Sequence, residues 1–266
     1  MEYLTLNNGL QMPVLGLGCY QLHGRSGEQA IAEAVELGYR LFDTAQMYGN
    51  EKEVGRTLRQ SGIPREKLFV TTKIYSPSTS YAKAKASIET SLRALQMDYI
   101  DLLLIHEPYR TSSEMYRAMR EAYREGKVRA IGVSNFNKDF YLNFIRSSEI
   151  IPAVNQVEAH ALFQQEELRT CLNAHNTVMQ AWSPLAAGGY GLLQNRTLRE
   201  IGMQYGKSAA QVAIRFSIQR GIPTIPKSAR KDHLTENINV FDFRLSQADM
   251  SRLAVLDGGR TLFGWY

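Results

Sequence analysis

Short apolar runs recur along the chain, each followed by a polar turn and most by a longer segment with helical spacing. A continuous apolar run suits a strand buried on both faces, whereas apolar residues at three- and four-residue spacing suit an amphipathic helix. The runs predict strands at Val14–Gly18, Tyr39–Phe42, Phe69–Thr72, Tyr99–Ile105, Val128–Val133, Ala153–Val157, Val178–Ala181 and Pro223–Ile225. Helical spacing predicts helices at Glu28–Leu37, Tyr81–Leu95, Ser113–Glu125, Ala209–Arg220 and Ser246–Leu256. Gly38, Gly126 and Gly221 stand where helix C-termini need a left-handed residue. Ser246, with Asp249 three residues on, suits a helix N-terminus, and Asn50 with Glu53 predicts a capping box after a strand–loop corner. Thr5 to Leu10 holds an Asn-Gly pair, predicting a β-hairpin turn that caps the amino end.

Eight short strands alternating with helices argue for an α/β protein with an all-parallel sheet. Spread over 266 residues, eight repeats take about 33 residues each, the size of one unit of a (β/α)8 TIM barrel. No linker or low-complexity segment interrupts the pattern, so residues 1–266 read as a single domain. The rival is a doubly wound open sheet. It would carry Gly-x-Gly-x-x-Gly between a strand and a helix, and Gly16-Leu17-Gly18-Cys19 is only a fragment of that fingerprint.

Composition narrows the class. Hydrophobic residues make up 44% of the chain, enough for one large core. The net charge of +5 is spread over interspersed acids and bases, which argues against nucleic acid as a partner. Two distant cysteines, Cys19 and Cys171, give neither metal spacing nor a disulfide framework, so a reducing, cytoplasmic setting is expected. The first residues lack a signal peptide's pattern, and no apolar run approaches the ~20 residues of a membrane span.

Candidate chemistry lies at the strand ends. Asp43, Lys73, His106, Ser134, Gln156, Trp182 and Lys227 each stand near the carboxyl end of a successive predicted strand. In a closed barrel those ends converge on one face. Each residue alone has a plainer reading: a turn acid, a solvated lysine, a hydrogen-bonded core histidine. Together they predict one polar mouth, and the longer step from Trp182 to Lys227 predicts an extra loop around Ala186 to Leu193.

Gly38-Tyr39-Arg40-Leu41-Phe42-Asp43-Thr44-Ala45, with Tyr48-Gly49-Asn50-Glu51 and Val54-Gly55, resembles the aldo-keto reductase signature. Asp98 to His106, Gly132 to Phe136, Asn155 to Glu158 and Ile225 to Ser228 fit further motifs of that family, in order along the chain. The resemblance implies a barrel that binds a nicotinamide cofactor without a Rossmann fold and reduces aldehyde or ketone carbonyls. It assigns a catalytic tetrad to Asp43, Tyr48, Lys73 and His106. Tyr48 would be the proton donor, its pKa lowered by Lys73; Asp43 would hold Lys73, and His106 would orient the carbonyl.

The same resemblance implies a cofactor site. Ser134, Asn135 and Gln156 would meet the nicotinamide carboxamide and Trp182 its ring, near Gly18, Cys19, Tyr20 and Asp43. Ser183, Pro184, Leu185 and the loop Gly188-Gly189-Tyr190-Gly191 would lie over the pyrophosphate. Lys227 and Ser228 would clamp the 2′-phosphate, with Glu236 and Asn237 at the adenine. His233 stands where many members have arginine, with Arg230 and Lys231 nearby. Because Lys227 and Ser228 remain, NADPH is still the expected cofactor, with NADH a weaker alternative whose margin His233 narrows. The substrate pocket would use Tyr20, Met47, Tyr48, Tyr75, His106 and Tyr109, with Phe263, Trp265 and Tyr266 from a tail that either closes over the site or frays. Glu107 follows the histidine where the family usually has tryptophan. Small aldehydes, dicarbonyls or keto-sugars are the expected substrates, and a monomer the expected state. Two other functions stay open: a Schiff-base aldolase using Lys73 or Lys227, and a non-catalytic NADPH-binding module.

Overall fold

The structure, a computed structural model, describes residues 1–264. Strands are β1 (Tyr3–Thr5), β2 (Gln11–Pro13), β3 (Gly16–Gly18), β4 (Leu41–Asp43), β5 (Phe69–Ile74), β6 (Leu102–Ile105), β7 (Ile131–Ser134), β8 (Val154–Glu158) and β9 (Val178–Trp182). Helices are α1 (Gly24–Glu36), α2 (Glu51–Gln60), α3 (Tyr81–Leu95), α4 (Ser112–Arg124), α5 (Lys138–Ile145), α6 (Glu166–Ala174), α7 (Arg196–Tyr205), α8 (Ala209–Gln219), α9 (Lys231–Ile238) and α10 (Gln247–Ala254).

Strands β3 to β9 form one parallel sheet in sequence order. The predicted eighth strand survives only as Thr224, which bridges Leu15 on one side and Ala181 on the other. Thr224 N donates to Val14 O at 2.9 Å, and Ala181 N donates to Pro223 O at 2.8 Å. Pro223 and Pro226 have no N–H to donate, so the pairing cannot extend into a full strand. These bonds nonetheless close the sheet into the expected (β/α)8 barrel.

Alternation along each strand divides the side chains between two cores. Phe42, Val70, Leu103, Ile105, Val133 and Val157 face outward and pack with Ile31, Val54, Leu58, Ile88 and Met115 of the surrounding helices. Leu41, Phe69, Leu102, Leu104, Val154 and Ile225 face inward and fill the lower barrel with Leu6 and Met12. Each such side chain fully buried contributes about 1.5–3 kcal/mol. The β1–β2 hairpin forms as predicted, with Gly9 at a φ of +84°. Asn8 Nδ2 donates to Arg129 O at 2.8 Å, and Asn7 Nδ2 reaches Ile151 O and Pro152 O at 3.3 Å. The hairpin thus floors the amino-terminal end of the barrel and leaves the opposite end as the mouth.

Several predicted details differ. Lys73 lies inside β5 rather than after it. The strand predicted from Tyr99 begins at Leu102, because Asp101 carries a carboxylate that accepts from Val70 N at 2.9 Å and Ile100 makes a single bridge. Asn50 precedes α2 but makes no side-chain cap. Its Oδ1 accepts from Thr44 Oγ1 at 2.6 Å, and its Nδ2 donates to Cys19 O at 2.7 Å and Leu22 O at 2.9 Å. Those buried partners lock the loop after β3 to the loop after β4, a stronger demand than one exposed cap.

Candidate active site

Asp43 ends β4, and a single 3-10 turn, Gln46–Tyr48, carries the chain over the mouth until Gly49 reverses it at a φ of +68°. This places the phenol of Tyr48 above Lys73 of β5. Lys73 Nζ donates to Asp43 Oδ1, to Thr44 O at 3.0 Å and to Tyr48 Oη at 3.4 Å. His106, one residue past β6, meets the Tyr48 ring edge-on, with centroids 5.6 Å apart. The four proposed tetrad residues therefore share one mouth, and Asp43, Lys73 and His106 are buried.

Burial governs the charges here. It would push Lys73 down, but the Asp43 carboxylate and the Tyr48 oxygen together hold its ammonium above the ordinary lysine range. Burial raises Asp43, and Lys73 and Gln156 pull it partly back. Burial lowers His106 to about 3, with Lys73 adding to the effect, so its imidazole is neutral near pH 7. Its Nδ1 has no hydrogen-bond partner among the described residues. Tyr48 departs from the sequence expectation. Lys73 does favour its phenolate, but burial outweighs that pull and the net shift is upward.

The expected nicotinamide residues form a hydrogen-bonded rim beside the tetrad. Ser134 Oγ donates to Gln156 O at 2.8 Å, and Asn135 Nδ2 donates to His106 O at 3.2 Å. Trp182 Nε1 donates to Asn135 Oδ1 at 2.8 Å, which fixes the indole. Gln156 Nε2 is turned inward, to Asp43 Oδ2 at 2.6 Å and Gln180 Oε1 at 2.9 Å. Gly18 passes so close to the closing segment that a Cβ there would lie 2.7 Å from Ile225 O. Cys19 is fully buried, its thiol pushed up by burial and by Asp43. Only its backbone joins the site, through Cys19 N to Asp43 O at 2.8 Å.

Farther round the mouth, Ser183, Ala186, Ala187, Gly188, Tyr190 and Gly191 all have positive φ, so the loop after β9 is sharply folded. On the adenosine side, Lys227 is exposed and makes no ion pair among the described residues. Ser228 Oγ accepts from Arg230 N at 3.0 Å. Arg230 is held by both oxygens of Asp232, and Lys231 lies 3.8 Å from Glu36. His233 is exposed, Glu236 half-buried and Asn237 buried.

Tyr20 packs on Tyr48 with centroids 5.0 Å apart and, like Met47, remains exposed. Tyr75 and Tyr109 are half-buried, and Tyr109 Oη donates to Glu107 Oε2 at 3.3 Å. The tail is held rather than frayed through Gly264. Thr261 Oγ1 donates to Glu158 Oε2 at 2.5 Å, and Leu262 N to Glu158 Oε1 at 2.8 Å. Phe263 lies against Trp182, with centroids 5.4 Å apart, and Tyr190 Oη donates to Leu262 O at 3.0 Å. Trp265 and Tyr266 lie outside the described residues. Sequence reading missed Gln180 and the Glu158–Thr261 clamp. The inward register shared with Gln156 and Trp182 was the available signal for both.

A closed parallel barrel with a buried carboxylate–ammonium pair beneath a half-buried phenol at its carboxyl-terminal mouth defines a class of barrel enzymes equipped for proton transfer. Residues 14–257 match the Aldo/keto reductase family, and the chain belongs to that family. It is 41% identical to a glyoxal reductase of Bacillus subtilis (strain 168), over 96% of this chain and 93% of that protein. Its fold matches an aldo-keto reductase from a Medee basin deep-sea metagenome library, at a TM-score of 0.95 and 40% identity over 98% of this chain and 97% of that one. It also matches an aldo-keto reductase complexed with NADPH, at a TM-score of 0.92 and 32% identity over 98% of this chain and 89% of that one.

Proposed function

We propose that this protein reduces aldehyde and ketone carbonyls to alcohols with NADPH, using Tyr48 as general acid. The observation that carries the reading is the position of Lys73 Nζ, shared between Asp43, Thr44 O and Tyr48 Oη. As negative charge grows on the carbonyl oxygen, Tyr48 delivers its proton. The Lys73 ammonium stabilises the phenolate left behind. A general acid so placed contributes about 10²- to 10⁴-fold in rate. Neutral His106 can still donate one N–H, which suits it to orienting the carbonyl oxygen.

The residues present fit the dinucleotide. Gly18 keeps the β3 end bare of side chain, and the polar rim of Ser134, Asn135 and Gln156 suits a carboxamide. Trp182 would lie along the nicotinamide ring, and the loop from Ser183 through Leu185 to Gly191 over the pyrophosphate. When bound, NADPH supplies the hydride. Unpaired Lys227 would meet the 2′-phosphate with Ser228, while Asp232 competes for Arg230. A preference for NADPH over NADH follows, narrowed by His233, which lacks the bidentate fork of arginine. Glu236 and Asn237 would bound the adenine.

For substrate, phenols of Tyr20, Tyr75 and Tyr109 ring the mouth, with Met47 on the rim and the Glu107 carboxylate beside Tyr109. That rim suits small uncharged carbonyls such as vicinal dicarbonyls and disfavours anions. Buried, protonated Lys73 is poorly suited to Schiff-base attack, which needs a free amine. A single-domain, cytoplasmic monomer without a nucleic-acid partner completes the reading. Among the described residues, no helix is long and apolar enough to cross a membrane. Steady-state assay of a dicarbonyl and aldehyde panel with each cofactor tests it. Turnover with NADPH at a higher kcat/KM than with NADH is expected, and no turnover on any carbonyl would overturn it.

A further inference from the structure

Gln180 lies on the inner face of β9, in register beside Gln156 of β8, and is fully buried. A buried primary amide that does no more than fill space is costly, because its donors and acceptor need partners. Gln180 meets only part of that need: its Oε1 accepts from Gln156, and its own Nε2 has no partner among the described residues. The partner it serves is better satisfied. Gln156 Nε2 carries two hydrogens, of which one goes to Asp43 Oδ2 and the other to Gln180 Oε1. Both donors of Gln156 are therefore spent inside the barrel. A carboxylate can only accept, so turning the Gln156 amide over would set oxygen against oxygen at Asp43. The Gln156 oxygen is the end left for a ligand.

We infer that Gln180 is a positioning residue that holds the Gln156 amide with its oxygen, not its N–H, presented to the cofactor's carboxamide. This rests on the proposed use of a nicotinamide cofactor and goes beyond it in naming the residue that, together with Asp43, sets the polarity of the contact. Gln156 then accepts from the carboxamide NH2 and discriminates against a ring substituent that cannot donate. Removing Gln180 Oε1 leaves one Gln156 N–H without a buried partner, so the amide pivots on its remaining bond to Asp43 and swings that N–H toward the mouth. It can then donate outward.

The test is the ratio of dissociation constants, by titration calorimetry, for the oxidised 3-acetylpyridine analogue and for NADP+ itself. The analogue has a methyl group in place of the carboxamide NH2. Wild-type protein is expected to bind it about tenfold more weakly, the worth of one hydrogen bond. Gln180→Met, close in volume but without the acceptor, is expected to bring the ratio within about threefold, with a Tm close to wild type. Gln180→Glu restores an acceptor at the same reach and is expected to recover the wild-type ratio. An unchanged ratio in folded Gln180→Met overturns the inference. So does a wild-type protein that does not discriminate, an outcome that stands even if the variants fail to fold. A wild-type protein that binds no NADP+ would instead overturn the proposed function.

Discussion

The ammonium of Lys73 lies 3.4 Å from the phenolic oxygen of Tyr48, held from beneath by the Asp43 carboxylate. Both ions of the Lys73–Asp43 pair are almost inaccessible to solvent, at 1% and 2% exposure. Pairing and charge placement are thus inseparable, and what stabilises the site also equips it.

Breaking that pair from one side should be worse than removing it. Lys73→Met leaves a buried carboxylate unpaired, at a cost of about 3–5 kcal/mol. Asp43→Asn combined with Lys73→Met should recover most of that stability, because no lone charge remains. Reductase activity should stay at background in both. Denaturant melts of the two variants check the first expectation and steady-state rates the second.

The upward shift of Tyr48 has a kinetic consequence. Burial keeps the phenol protonated beyond its ordinary range despite Lys73. The acid form is therefore fully present through neutral and mildly alkaline pH. For carbonyl reduction, kcat/KM should be level from pH 6 to 9, measured in a constant-ionic-strength buffer series. A decline centred near pH 7 would mean that Lys73 wins over burial.

His106 sets a pH limit on stability. Its folded pKa of about 3 lies below the ordinary histidine value of 6.5, so between them the unfolded chain binds the extra proton. This contribution is complete above pH 6.5 and is lost as pH falls toward 3, by up to about 1.4 kcal/mol per pH unit. His106→Gln lacks the titration. Wild type minus variant stability, from urea melts at pH 4, 5, 6, 7 and 8, should therefore fall steadily as pH drops through 6.5 and be level only above about pH 7.

The tail clamp should be separable from the chemistry. Thr261→Val removes a hydrogen bond to the buried Glu158 carboxylate, worth about 1.5–3 kcal/mol. It should speed limited proteolysis after Asp257 while leaving Tm within a few degrees. Cleavage no faster than in wild type would mean that Leu262 N and Tyr190 suffice to hold the strap.

The sequence carried the site's composition better than its energetics. Alternation and strand-end spacing placed Asp43, Lys73, His106 and Gln156 at one mouth, because a parallel barrel converges those ends whatever the loops do. Helix α3 was readable to the residue, since a long apolar stripe begins at Ser80, whose side chain accepts from Lys83 N. Helices α5, α6, α7 and α9 were not anticipated. They have only 8, 9, 10 and 8 residues, and tertiary packing rather than local preference decides such short segments. The sign of the Tyr48 shift was also out of reach, because Lys73 can be read from the chain whereas depth of burial cannot. Asn50 looked like a cap for a similar reason: its real partners, Cys19 O and Leu22 O, lie 31 and 28 residues away.

The central claim is that the Tyr48 hydroxyl supplies the proton while the fold and the cofactor site stand apart from it. Tyr48→Phe deletes that one oxygen, and the measurement is kcat for carbonyl reduction alongside the NADPH dissociation constant. A fall in kcat of about 10²- to 10⁴-fold with affinity within about twofold of wild type is the predicted result. Near-normal kcat, or affinity lost together with activity, would contradict it.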